Sequence, residues 1–301
     1  MDYYTILAQK SNLEKEFLGR TVDAAVSLKD THHLFIGFAG HDSAVKLSCV
    51  PDMPYLSVME RGYIPRRNAK PWHQSRFANR KVTGISVTPN DRIIIITVET
   101  GARVVFEMTG RHANIITVNP DGTIAGAFRK VGEKESAVRE IRTGVPYEPP
   151  PPRDFPDLIW GALPGLEKRL LSVNEPLGKA FQLALSCGSR FFALEVCARA
   201  GFDPGGYAAD LSRNDVIRLV TASANLAALT ENGGNGASIV FRGDGIPQDV
   251  FPARMETTEI THKHFDSIDE AVTEYARERE ISLERRSLKN AALTALKREQ
   301  R

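Results

Sequence analysis

Residues 92–108 read Arg92-Ile-Ile-Ile-Ile-Thr-Val98-Glu-Thr-Gly-Ala-Arg103-Val-Val-Phe-Glu-Met108. Two β-branched apolar runs flank Glu99-Thr100-Gly101-Ala102, and the glycine at the turn predicts an antiparallel hairpin. Asn114-Ile-Ile-Thr-Val118 then meets a second tight turn, Asn119-Pro120-Asp121-Gly122, and Ile124 to Val131 can return as a strand. Four successive strands make an antiparallel meander. With the turn centred on residues 100–101, Arg92 is expected opposite Thr109 and Asp91 opposite Gly110. That register gathers Asp91-Arg92 and the run Glu107 to Asn114 at one sheet end, with alternate side chains sharing a face. One reading of that end is structural: an Asp–Arg pair closes it, Gly110 makes a bend and Asn114 satisfies a turn.

Just upstream lies a strip of one charge sign. Residues 61–90 hold Arg61, Arg66, Arg67, Lys70, Arg76, Arg80 and Lys81, with no Asp or Glu. The chain has 39 Lys and Arg against 37 Asp and Glu; without the strip, 32 face 37, a balance of −5. The positive charge is therefore concentrated. Tyr63, Trp72, His73 and Phe77 are interleaved with it. Cations can release counterions from phosphates, and rings can stack on unpaired bases, so the strip predicts nucleic-acid contact. The alternative is a solvated loop whose Trp and Phe belong to the core.

Upstream of the strip, Ile6 to Leu18 fits an amphipathic helix followed by short strands. Downstream, residues 146–156 carry six prolines in eleven positions and read as an extended boundary, a stiff connector or a polyproline ligand. Beyond it, Leu158 to Ser172, Pro176 to Cys187, Arg190 to Ala200 and Arg213 to Leu229 space apolar residues three or four apart, which predicts a compact helical unit. Glu231 to Gly236 is a turn, and residues 237–252 offer a short strand or two. After Phe265 the chain is densely charged, and Ile281, Leu288 and Ala295 sit seven apart, as at the start of a coiled coil.

At 301 residues the chain is long enough for two domains. No apolar run approaches the length of a membrane span, and the N-terminus lacks the pattern of a signal peptide. Cys49, Cys187 and Cys197 match neither a disulfide framework nor a zinc pattern, so a reducing cytoplasm is the expected compartment. The seven histidines show no metal spacing and no carboxylate cluster accompanies them; no nucleophile elbow occurs. No catalytic residue, metal, cofactor or small-molecule substrate is expected, and the chain reads as a non-enzyme.

Val105-Phe-Glu-Met-Thr-Gly-Arg-His-Ala-Asn-Ile-Ile-Thr-Val118 with Asp121-Gly122, then Arg142-Thr-Gly-Val-Pro-Tyr-Glu-Pro-Pro-Pro151, resembles the signature of the NFACT family, as does the preceding Asn90-Asp91-Arg92. The resemblance implies an α+β architecture. An antiparallel-sheet NFACT-N domain over residues 1–150 would be similar in fold to formamidopyrimidine-DNA glycosylases. A helix-hairpin-helix-like domain would span 151–232, a strand-containing connector 233–265, and the start of a coiled-coil arm 266–301.

In function it implies an adaptor of ribosome-associated quality control, binding tRNA and a large ribosomal subunit with a stalled peptidyl-tRNA to support untemplated alanine tailing. Asp91 and Arg92 would be the tRNA-handling pair and Glu107, Met108 and Thr109 a second tRNA-binding stretch, with Arg111, His112 and the basic strip as further RNA contacts. Thr109 and Ala113 depart from the family's usual Met and Ser, and residues 72–80 match its corresponding helix only loosely. The chain is expected to be a fragment of a longer protein.

Two other functions compete. A glycosylase would need an N-terminal Pro-Glu, where this chain has Met1-Asp2. Binding of extracellular matrix, as the family's older fibronectin-binding label implies, fits poorly with the missing signal peptide and disulfides.

Overall fold

The computed structural model describes residues 1–28, 31–51, 53–132, 139–151, 168–184 and 189–299. Most of the proline-rich boundary after Pro151, most of the helix expected from Leu158, and Cys187 lie outside these residues.

Ten strands form one long sheet: β1 (Thr21–Leu28), β2 (His33–Phe38), β3 (Ser43–Ser48), β4 (Tyr55–Glu60), β5 (Lys70–Pro71), β6 (Arg80–Val87), β7 (Ile93–Val98), β8 (Arg103–Glu107), β9 (Asn114–Val118) and β10 (Ile124–Ala127). Their order is β10-β9-β8-β7-β6-β1-β2-β3-β4, with β5 beside β1. The meander expected from the sequence is one wing of this sheet, and β1–β4 form the other. They meet through the register pairs Thr21↔Lys81 and Val22↔Arg80, because β5 takes the Val26–Ser27 part of the same β1 edge.

The run of four isoleucines in β7 is explained by burial on both faces. Ile94 and Ile96 join a core with Phe106, Met108 and Ile115 under helix α1 (Tyr3–Phe17). Ile93 packs on the opposite face with Val105, Ile116 and Ile141. A strand covered on both sides has no need of polar alternation. Helix α1, capped by Asp2, feeds three cores: Ile6, Leu13 and Phe17 the sheet, Tyr3 and Tyr4 the helical unit, and Ala8 the long C-terminal helix.

A four-residue helix α2 (Gln74–Phe77) precedes β6. The helical unit contains α3 (Leu177–Ala184), α4 (Arg190–Ala200) and α5 (Arg213–Glu231). Ser189 and Ser212 cap α4 and α5, the latter in a reciprocal capping box with Asp215. A three-stranded sheet of β11 (Ala237–Phe241), β12 (Pro247–Phe251) and β13 (His262–Phe265) follows. Helix α6 (Ile268–Glu299) buries Ile268, Ala271, Val272, Tyr275 and Ala276, while Leu288 further along is exposed. No helix among the described residues is long and apolar enough to cross a membrane.

The register of the first hairpin differs from expectation by one residue. Ile93 pairs with Glu107 and Thr97 with Arg103, and Val98 closes on Ala102 around a three-residue loop. Gly101 lies at φ 83°, the left-handed position that ends a three-residue hairpin loop. Arg92 therefore faces Met108, whose N–H donates to the Arg92 carbonyl at 2.8 Å. The expected pairing of Arg92 with Thr109 is corrected, because the turn contains three residues where an even turn was assumed.

Candidate nucleic-acid interface

One end of the meander carries most of the residues the sequence singled out. The β6–β7 connection turns at Thr88–Asp91 with Asn90 at φ 57°, and delivers Arg92 beside Met108. The Asp91 carboxylate accepts the Arg92 backbone N–H at 2.7 Å. It shapes the loop, and no Asp91–Arg92 ion pair closes the sheet end among the described residues. After β8, Gly110 at φ 63° starts a one-turn 3-10 helix (Gly110–His112) that presents Arg111 and His112 to solvent before the chain enters β9.

A residue not anticipated completes this end. Arg129, just past β10, places Nη1 3.1 Å from His112 Nδ1 and 3.4 Å from the Arg111 carbonyl. Arg111 Nε lies 3.1 Å from His112 Nε2. A neutral imidazole has one acceptor nitrogen, so only one of the two guanidiniums can hold it at a time. The other keeps a donor for a ligand. No carboxylate answers Arg92, Arg111 or Arg129 among the described residues. Arg111 and Arg129, held against His112, are cations with spare N–H groups, the equipment for binding phosphate oxygens, and Arg92 lies at the same end of the sheet.

Asn114 fixes it from beneath. Its amide donates to the Arg129 carbonyl at 2.7 Å and accepts the Arg129 N–H at 2.9 Å, while the side chain is buried. A register shift between Ile124 and Gly126 in β10 brings Arg129 to Asn114; an unbroken hairpin register would have put Phe128 there.

Glu107 and Met108 do not fit direct contact with RNA. Both are buried, Glu107 on the face opposite Met108. The Glu107 carboxylate takes two bonds from Arg139, at 2.7 and 2.6 Å, and one from Tyr147 at 2.9 Å, tying residues 139–151 across the sheet. Burial and the Glu107 charge push the Tyr147 hydroxyl far up, so it stays a donor. Of the three, only Thr109 reaches the surface.

The basic strip is divided. Arg61 forms a two-point pair with Asp23 at 2.8 and 2.7 Å and donates to the Phe38 carbonyl. Arg76 donates to Asn119 at 2.7 Å, and Arg80 lies 4.0 Å from Glu99. Arg66, Arg67, Lys70 and Lys81 remain exposed. Trp72 packs on Phe128 and donates to Thr117, and Phe77 is buried. Those two rings belong to the core, as the alternative reading of the strip has it. Tyr63, 69% exposed, is the ring left outside.

Among the described residues no group of three or more His, Cys, Asp or Glu could hold a metal ion. Cys49 and Cys197 are buried, and burial pushes each thiol up to about 12, as expected of apolar packing residues.

The two-winged antiparallel sheet and the helical unit joined to it make this an α+β protein. The chain belongs to the NFACT family: the model described as NFACT N-terminal and middle domains matches residues 2–301. No curated protein sequence matches it significantly. Among solved structures, it is similar to the N-terminal part of the fibronectin/fibrinogen-binding protein from Streptococcus suis, with a TM-score of 0.69 at 17% identity over 92% of this chain and 99% of that one. The fibrinogen-binding protein from Staphylococcus aureus gives 0.66 at 17% identity over 89% and 96%. The N-terminal domain of fibronectin-binding protein PavA from Streptococcus pneumoniae gives 0.53 at 15% identity over 92% and 98%. At such identity these likenesses establish the fold alone.

Proposed function

We propose that this chain is an RNA-binding adaptor of ribosome-associated quality control, which engages tRNA through the Arg92, Thr109, Arg111, His112 and Arg129 end of the meander. The carrying observation is that these groups share one sheet end, unanswered by carboxylates and anchored by buried Asn114. Phosphate contacts fix an RNA's register, and the neighbouring Thr109 hydroxyl and His112 ring can read a base or ribose. Arg66, Arg67, Lys70 and Lys81 supply a second, sequence-independent contact for tRNA or ribosomal RNA. In this reading the partner is a large ribosomal subunit with a stalled peptidyl-tRNA, and the ribosome performs the chemistry of alanine tailing.

Membership in the family and the geometry of the cationic end support this reading together. The test is binding of labelled tRNA and of purified large subunits by the wild type, Arg92→Ala, and Arg111→Ala/Arg129→Ala. Loss of tRNA binding by the variants, with unchanged circular dichroism, is the expected result. Equal binding by all three would remove the sheet end from the function. A matrix-protein adaptor, as the names of the structural neighbours suggest, would instead bind fibrinogen or fibronectin with little dependence on these arginines and would not prefer tRNA.

A further inference from the structure

The opposite edge of the sheet carries a groove that the RNA reading does not use. It has a volume of about 660 Å³ and lies between β4 and the first turns of α6. Val58, Met59 and Phe265 line it, and exposed Tyr63 stands at its rim. Glu60, Asp269, Glu270 and Glu274 line it as well. Arg277 answers Glu274 with a two-point pair, and Lys263 lies over the Phe265 ring. No cation is paired with Glu60, Asp269 or Glu270 among the described residues. The Asp269 carboxyl accepts from Asn12 at 3.0 Å, and burial, with Glu16 and Glu270 nearby, holds its pKa above the usual range. Burial is the main cause of that shift, and the two neighbouring carboxylates add to it.

We propose that this groove docks a basic, extended polypeptide segment, with lysine or arginine side chains meeting Glu60, Asp269 and Glu270 and an apolar side chain seated between Val58, Met59, Tyr63 and Phe265. Charge complementarity selects the occupant. A nucleic acid is repelled by three unpaired carboxylates, whereas a cationic peptide neutralises them and covers the exposed ring. The sheet favours an extended conformation, since β4 is its last strand. Where helices cross it, the edge is already occupied: Gln9 donates to the Leu56 carbonyl at 2.6 Å and Thr273 to that of Val58 at 3.5 Å. Beyond Val58, toward Glu60 and Tyr63, the groove opens. The site does not rest on the RNA reading. β4 and β8 are six strand spacings apart, about 29 Å along the sheet at about 4.8 Å each, so the two surfaces could hold an RNA and a basic protein segment together.

The test is fluorescence anisotropy with a labelled short peptide alternating lysine or arginine with leucine. Wild type should bind it, and Glu60→Lys/Glu270→Lys should weaken binding by about tenfold or more. Tyr63→Ala should weaken it without changing net charge. Both variants should keep their circular dichroism, and Glu60→Lys/Glu270→Lys should bind tRNA at least as tightly as wild type, which separates failure here from failure of the RNA site. Unchanged peptide affinity in the charge-reversed variant would overturn the proposal. Equal binding of a peptide with serine in place of leucine, or displacement by spermine at equal concentration, would overturn it in favour of charge alone. Dimerisation of the wild type lost in the same variant would assign the groove to a second copy of this chain.

Discussion

Asn114 holds Arg129 by both backbone groups, donating to its carbonyl and accepting its N–H, and so carries the end of β10 to the 3-10 turn that bears Arg111 and His112. A buried amide thereby positions an exposed guanidinium fifteen residues away in sequence. Replacing Asn114 with Ala strands two backbone groups in a part-buried site. The expected destabilisation is about 2 kcal/mol, read by urea unfolding, together with weaker tRNA binding at temperatures where the variant remains folded. Full tRNA affinity in the folded variant would show that Arg129 needs no such support.

Arg111→Ala and Arg129→Ala should each lower the magnitude of the slope of log affinity for tRNA against log salt by about 1. A titration across several salt concentrations reads this directly. Affinity lost at constant slope would mean that the side chains contact bases or only shape the loop.

Glu107 and Arg139 form a pair with side-chain exposures of 0% and 15%. Glu107→Ala removes the buried carboxylate that Arg139 and Tyr147 share, and should cost about 3 kcal/mol of stability. Glu107→Ala/Arg139→Ala should cost less than the sum of the two single substitutions. Additive costs would show that the pair is not coupled. Because Glu107 faces away from solvent, the double variant should retain tRNA binding when folded.

The His33 imidazole, between Lys46 and Glu280 under α6, has its pKa pushed down to about 4 by burial first and then by the Lys46 charge. An unfolded chain binds a proton at His33 as pH falls through about 6.5, while the folded protein resists until about 4. In that window the unfolded state carries more protons, so stability falls with falling pH, by up to about 3 kcal/mol. His33→Phe should flatten the fall between pH 6.5 and 4 in thermal unfolding. An unchanged profile would assign the acid sensitivity to other groups.

Much of the architecture was legible because its signals are local. Isoleucine and valine runs separated by glycine-bearing turns specify strands and hairpins, and apolar residues three or four apart mark α4 and α5. The motif around Glu107 to Asn114 pointed to the family, whose model matches residues 2–301. What tertiary structure decided was the face and the neighbour of each side chain. A three-residue loop in place of an even one moved Arg92 from Thr109 to Met108, and a strand's period of two makes such a shift an exchange of faces. Glu107 lies between residues that share its motif, yet its partner Arg139 comes from a segment folded over the far face. Arg61 reads like Arg66 in a basic strip, but Asp23 across the sheet claims it. Local propensity acts through the bonds of neighbouring residues and is written in the chain; pairing between distant segments depends on how strands register and which surfaces become buried, and those are fixed only when the chain has closed on itself.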